Sequence, residues 1–291
     1  MKAPGRGWLP GLLLVGALAV LPRTVRAHPG IGIVLDDRGN IFYTDLSNVW
    51  KIAPDGRKTI AVRNVHTHEL YLDPGGNLYG EHLWYEGDAT KKWGHRVWRL
   101  GADGTRSDVI QAREGFRTDY SFVRDGAGNM YWAEGEKPPR IVQRAPDGTM
   151  TTRATCGDCR DIRWMTASKD GTVFFVDAGD LRAVSPSGRI RTLARGLGRK
   201  AWTQPQVSAR HALMGLWTDA QGNVYVARYG TREVIRVSAE GAVRVAASSR
   251  FPWSPTGGLL APNGDLLLLE YSSTNAVRVR RIAGDGRATV Y

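Results

Sequence analysis

Asp36-Asp37-Arg38-Gly39-Asn40-Ile41-Phe42-Tyr43-Thr44-Asp45 is the stretch that decides how this chain folds. Its Gly-Asn pair supplies the positive φ of a tight hairpin turn. The run behind the turn is apolar at nearly every position, as in a strand covered on both faces, and an acid ends it. The same phrase returns at Asp73-Pro74-Gly75-Gly76-Asn77, Asp125-Gly126-Ala127-Gly128-Asn129, Ser168-Lys169-Asp170-Gly171-Thr172, Asp219-Ala220-Gln221-Gly222-Asn223 and Ala261-Pro262-Asn263-Gly264-Asp265. A second turn follows a third strand in each unit: Asp55-Gly56, Asp103-Gly104, Asp147-Gly148, Ser187-Gly188 and Asp285-Gly286, with Glu240-Gly241 as a weaker version. A fourth strand such as Lys58 to Val62 closes the unit. Four short strands recurring every roughly 40 to 50 residues predict an all-β chain, a six-bladed β-propeller of four-stranded blades over residues 28–291. No long window holds a 3.6-residue period, so little helix is expected.

The phrase Asp-x-x-Gly-Asn, an aromatic-rich strand and a closing acid resembles the NHL repeat and the gluconolactonase-type six-bladed propellers, over about residues 30 to 291. The resemblance implies the fold. It implies no single activity, because that fold carries lactonases, lyases and binding proteins. Gluconolactonase-type enzymes bring a Glu into the first blade's lead-in and an Asn and an Asp from later blades to hold a divalent metal. Here that lead-in reads His28-Pro29-Gly30-Ile31-Gly32, with no acid.

The first residues read as a cleavable signal peptide: Lys2 and Arg6, an apolar run from Trp8 to Leu21, then Val25-Arg26-Ala27. Cleavage after Ala27 would leave His28 first, 264 of the 291 residues, and no transmembrane segment in the mature form. The leader carries four basic residues and no acid, so the formal charge falls from +12 to +8. The expected location is periplasmic or secreted, as a monomer. No Lys/Arg cluster is interleaved with aromatics, so nucleic acid is not expected as a partner.

In the propeller connectivity the lead-in to each first strand and the exit from each second strand open on one face, here called the entry face. The longest connections (83–95, 135–140, 193–214 and 248–256) fall there, which makes it the expected functional face. Second-strand ends deliver Asp45, Glu81, His82, Glu134, Asp177, Arg228 and Glu270; lead-ins deliver His28, His66, His68, Glu69, Asp119, Asp161 and His211. Gathered carboxylates and imidazoles are most simply neutralised by a cation. The plain alternative is that the acids end their strands and bond nearby backbone.

Blade 2 holds four of the six histidines, His66, His68, His82 and His95. Loosely, this is similar to the amidating-lyase propellers, where histidines of different blades hold zinc, and His66, His68, His82 and His211 are the candidate metal ligands. Glu69, Glu134 and Asp177 are the candidate catalytic carboxylates; Asp45, Glu81, Trp84, Arg228 and Glu270 are candidate ligand contacts. Trp84, Tyr85, Trp93, Trp202 and Trp253 on the long connections suit sugar or peptide ligands. Cys156-Gly157-Asp158-Cys159, two cysteines this close in an exported chain, predicts a small-loop disulfide. Two functions follow. The first is an exported propeller binding a small molecule, glycan, peptide or protein on its entry face. The second is a hydrolase or lyase, lactonase-like or amidating-lyase-like, dependent on a divalent metal such as zinc or calcium and acting in the axial pocket.

Overall fold

The computed structural model describes residues 29–87, 89–115, 120–135, 137–199 and 209–291. The leader, His28, Asp119 and Trp202 lie outside them.

Six antiparallel sheets stand around one axis. Blade 1 holds Ile33–Leu35, Ile41–Thr44, Asn48–Ile52 and Lys58–Arg63, each strand pairing with the next. Blades 2, 4, 5 and 6 repeat the pattern from Leu70–Leu72, Ile162–Ala167, Leu216–Thr218 and Trp253–Leu260 outward. Blade 3 departs from it. Its sheet has three strands, and its innermost strand is reduced to a single bridge between Arg124 and Met130.

The turns are the ones the sequence predicts. Gly39, Gly76, Gly128, Gly171, Gly222 and Gly264 in the first set, and Gly56, Gly104, Gly148, Gly188, Gly241 and Gly286 in the second, all lie at φ between 77° and 91°. Four of the first turns share one device. Asp36, Asp73, Asp125 and Asp219 each accept the backbone N–H of the Asn four residues on with one carboxylate oxygen and its side-chain amide with the other. At Asp73 and Asp125 burial pushes the carboxyl pKa upward, but these bonds, with one from Tyr79 or Tyr131, outweigh it and hold the carboxyl below its ordinary range.

Packing lies in the seams between blades. One buried cluster joins blades 1 and 2 around Val49, Val62 and Trp98; others join 2 and 3, 3 and 4, and 4 and 5. The largest cluster joins blades 5, 6 and 1 around Tyr43, Met214, Leu268 and Tyr271. The ring therefore closes by side-chain packing between blades 6 and 1, with no strand shared. Tyr271 strengthens that seam by donating its hydroxyl to the Thr44 carbonyl at 3.0 Å.

Two of the expected excursions are in part strand. Residues 83–95 are mostly a hairpin, Leu78–Tyr85 running against Trp93–Leu100, because Tyr85, Trp84 and Leu83 continue the register against Trp93, Gly94 and His95. Trp84 is accordingly a half-buried strand residue, its ring lying over Gly94, where a Cβ would fall 1.9 Å from Trp84 Cζ2. In blade 6 the inner strand begins at Trp253, which pairs with Ser272.

Candidate functional site

In blades 1, 2, 4 and 5 the lead-in pairs with the end of the second strand. Thr44 N–H bonds Gly32 O, Leu83 N–H bonds His66 O, Ala178 N–H bonds Asp161 O, and Met214 N–H bonds Ala227 O. The entry face is thus a ring of lead-ins braced by strand ends. Lead-ins also bond one another around the axis: Ile31 and Gly32 both donate to His68 O at 2.8 Å.

Most nominated charges find partners inside their own blade, and hairpin register explains which. The second and third strands place Glu134 opposite Arg140, Arg228 opposite Glu233, and Glu270 opposite Arg278. Each pair is bonded, at 2.7, 3.0 and 2.7 Å. Glu270 is fully buried and also takes Ser249 Oγ and Arg280. Asp45 accepts the Ser47 and Asn48 N–H groups and Trp50 Nε1. Asp177 accepts the N–H groups of Arg160 and Asp161 and pairs with Arg182. The expected convergence of carboxylates on the axis is therefore not what the chain builds. Each of these acids is held where it arises.

Blade 2 differs because Val97, not a cation, stands opposite Glu81. Glu81 is 1% exposed, and its carboxylate turns inward to the lead-in instead. Its Oε1 accepts the His68 N–H at 2.7 Å and lies 3.4 Å from His68 Nδ1. His68 Nε2 in turn meets His66 Nε2 at 3.3 Å, with ring centroids 4.7 Å apart. The support beneath is built from buried groups: Thr67 Oγ1 donates to Glu81 O, and Trp98 Nε1 donates to the same carbonyl at 3.0 Å. Trp98 and Thr67 were not singled out from sequence. The one signal for Trp98 was Gly80, a glycine inside a strand, which marks close approach by a neighbour; Gly80 sits opposite Trp98, and a Cβ there would lie 2.2 Å from its ring.

The other two nominated histidines do not join the pair. His82 Nδ1 accepts the His66 N–H at 3.0 Å, and its ring lies against Trp84. His211 stands in blade 5, on the short 3-10 turn Ala209–His211. Burial lowers the pKa of His66, with the neighbouring His68 adding to it; burial also lowers His82 and His211, helped by Arg96 and Arg106 beside the former and Arg163 and Arg210 beside the latter. All three thus hold a proton less tightly than the unfolded chain does. They favour the folded state above the ordinary imidazole value of 6.5, and that contribution is lost as pH falls through their lower folded values. The urea midpoint is expected to drop between about pH 7 and about pH 5, and less so in a His66→Gln/His82→Gln variant; identical slopes would contradict this.

As a metal centre the described residues are incomplete. A tetrahedral zinc with bonds of about 2.0 to 2.1 Å to nitrogen spaces its ligands as the two Nε2 atoms are spaced, but a resident ion takes three or four protein ligands. The one group of three potential ligands within 4.8 Å among the described residues is Cys156, Asp158 and Cys159. Its sulfurs are joined in a disulfide, as predicted, and are not thiolates in this form.

An axial cavity of about 570 Å³ is lined by apolar groups such as Phe122 and Trp217 together with polar ones such as Arg124; His66, His68 and Glu81 are not in its lining, and Glu69, next to His68 in the chain, is the nearest lead-in residue that is. Glu69 lines it near the entry face, and Asp36 and Asp37 line it near the turns. Of the nominated catalytic carboxylates, Glu69 alone is among its described lining.

No family model matches the sequence, and no curated protein does. Solved structures do match. Virginiamycin B lyase from Staphylococcus aureus aligns over 90% of this chain and 84% of its own at 14% identity, TM-score 0.53. A calcium-binding regucalcin from Agrobacterium tumefaciens aligns over 83% and 81% at 18% identity, TM-score 0.55, and a gluconolactonase from Xanthomonas campestris over 82% and 82% at 12%, TM-score 0.54. The chain shares their six-bladed fold. At these identities the likeness extends to architecture, including the gluconolactonase-like propeller that the turn phrases suggested, and stops there. Among the described residues no helix is long and apolar enough to cross a membrane.

Proposed function

We propose that this propeller is a hydrolase or lyase for small ester- or lactone-bearing molecules, with His66 and His68 acting as a proton relay backed by Glu81. The observation that carries the reading is the run of contacts Oε1 to Nδ1 at 3.4 Å and Nε2 to Nε2 at 3.3 Å. A carboxylate beside His68 Nδ1 selects the tautomer with its proton there, leaving a lone pair on Nε2. His66 then donates its Nε2–H to that lone pair. When His66 Nδ1 takes a proton from water or from a carbon next to a carbonyl, the Nε2 proton passes to His68, and Glu81 stabilises the imidazolium formed. Burial lowers His66 from 6.5, which keeps it neutral in neutral solution but makes it the weaker base, and Glu81 acts against this by favouring the proton on the pair. The axial cavity, which reaches Glu69 next to His68, suits the body of a small substrate. The neighbours named as lyase and gluconolactonase support this class of chemistry, and the one named as calcium-binding places a divalent ion among the ligands to test. No step here runs through such an ion. Elemental analysis of tag-free protein before and after chelation shows whether one is held.

Turnover is tested with an aldonolactone and a streptogramin B, alongside NMR of the imidazole nitrogens, which needs no substrate. His68→Ala and Glu81→Gln are each expected to lower kcat about a hundredfold. The spectrum should show Nδ1–H on His68 and Nε2–H on His66, with the first lost in Glu81→Gln. Any other tautomer pair in the parent protein, or full turnover in His68→Ala, overturns the relay. Binding without turnover would favour a purely ligand-binding entry face. Export is proposed on the disulfide, a bond that persists in oxidising compartments.

A further inference from the structure

The Cys156–Cys159 disulfide lies in the lead-in to blade 4, away from the histidine pair, and its two sulfurs differ in burial and in contacts. Cys156 is 1% exposed and lies 3.4 Å from an Asp158 carboxylate oxygen. Cys159 is partly exposed and lines a groove of about 740 Å³ with Glu134, Lys137, Pro138 and Arg160. Arg182 Nη1 stands 3.5 Å from Cys159 Sγ. That guanidinium is fixed: Nη2 takes both oxygens of Asp158, at 3.0 and 3.1 Å, and Nη1 reaches Asp177 at 3.3 Å. The Asp158 carboxylate lies within 4.8 Å of both sulfurs, whereas the Arg182 guanidinium contacts Cys159, and a cation beside a sulfur favours its thiolate.

We propose that Cys156–Cys159 is a thiol–disulfide exchange site for a dithiol, with Cys159 the sulfur attacked from the groove. A thiolate of the dithiol bonds Cys159 Sγ and breaks the bond to Cys156 Sγ. Cys156 leaves with the electron pair, takes a proton, and donates it in a hydrogen bond to Asp158. The second thiolate of the dithiol then attacks its own bound sulfur, closing that molecule's disulfide and releasing Cys159 as a thiolate against Arg182. Two electrons pass from dithiol to protein. One proton stays on Cys156 and the other goes to solvent.

The fold tolerates the open form. Cys156 N–H bonds Pro139 O, and the N–H groups of Arg160 and Asp161 bond Asp177, so the segment keeps its anchors without the bridge. A ring of four residues also constrains the unfolded chain least among disulfide loops, so its removal costs little folding stability.

The test equilibrates the full chain with graded ratios of dithiothreitol to its oxidised form and counts alkylated thiols by mass. Reduction is expected with near-ultraviolet circular dichroism unchanged, and Arg182→Met should need a dithiol ratio about tenfold higher for half reduction. Since Arg182→Met exposes Asp177 to loss of its partner and can unfold the blade, single-cysteine variants are measured too. The thiol of Cys156→Ser should react with iodoacetamide near neutral pH at least about tenfold faster than that of Cys159→Ser. Equal rates, a faster Cys156, or reduction only on unfolding would overturn the assignment.

Discussion

Gly257→Ala is expected to destabilise the protein more than any other single methyl group added to it. A Cβ at Gly257 would lie 2.1 Å from Ile31 O, 2.9 Å from Ile31 C and 3.2 Å from Ile31 Cα. All three are backbone atoms, so no side chain can rotate to make room, and the inner strand of blade 6 and the lead-in of blade 1 must part. Gly215 shares the place, since a Cβ there would meet Thr256 O at 2.8 Å and Ile31 Cβ at 3.2 Å. Overpacking usually costs 1 to 3 kcal/mol, and a clash confined to backbone at a seam that shares no strand belongs at about 3 kcal/mol or above. Urea denaturation measures it, with Gly284→Ala as the control, because nothing lies within 4 Å of a Cβ there. A Gly257→Ala midpoint equal to the control's would show that the seam yields freely.

Trp98→Ala is the second large loss. Trp98 is fully buried at the seam of blades 1 and 2, and truncating such a ring costs about 3 to 5 kcal/mol. It also removes the Nε1–H bonds to Glu81 O and Thr67 Oγ1 that hold up the histidine pair. Trp98→Phe separates the two effects. It keeps most of the packing and is expected to cost about 1 kcal/mol for the lost hydrogen bonds, while loosening Glu81. The imidazole nitrogen spectrum should therefore change in both variants, although only Trp98→Ala loses most of its stability. An unaltered spectrum in Trp98→Phe would show that Glu81 is held without the indole.

The ring of blades was legible because its signals are local. Each of the twelve turns carries a Gly at positive φ, ten of them directly after a polar residue, and a turn needs only its own residues to form. The thinning of blade 3's inner strand had no such signal, nor did the hairpin extension through Tyr85 and Trp93, which cross-strand pairing continues after the sequence suggests a loop. The site was legible in part. His66, His68 and Glu81 were marked by residue type, but their separation from Glu134, Arg228 and Glu270 turns on what faces each across a hairpin. That partner can be counted once the register is known: Arg140, Glu233 and Arg278 opposite the structural three, and Val97 opposite Glu81. Arg182 escaped notice because it is 23 residues from Cys159 and reaches it through the fold.

The manner of closure has a kinetic meaning. Each blade is made from one unbroken stretch of chain, so its pairings form between near neighbours and the cost of bringing distant segments together is deferred. Closing the ring carries the long-range cost: Tyr271 must meet Thr44 across 227 residues, and no interlocked strand secures the two ends. An arc that had not closed would leave the apolar flanks of blades 6 and 1 bare to water, and two such arcs could join to each other instead of each to itself.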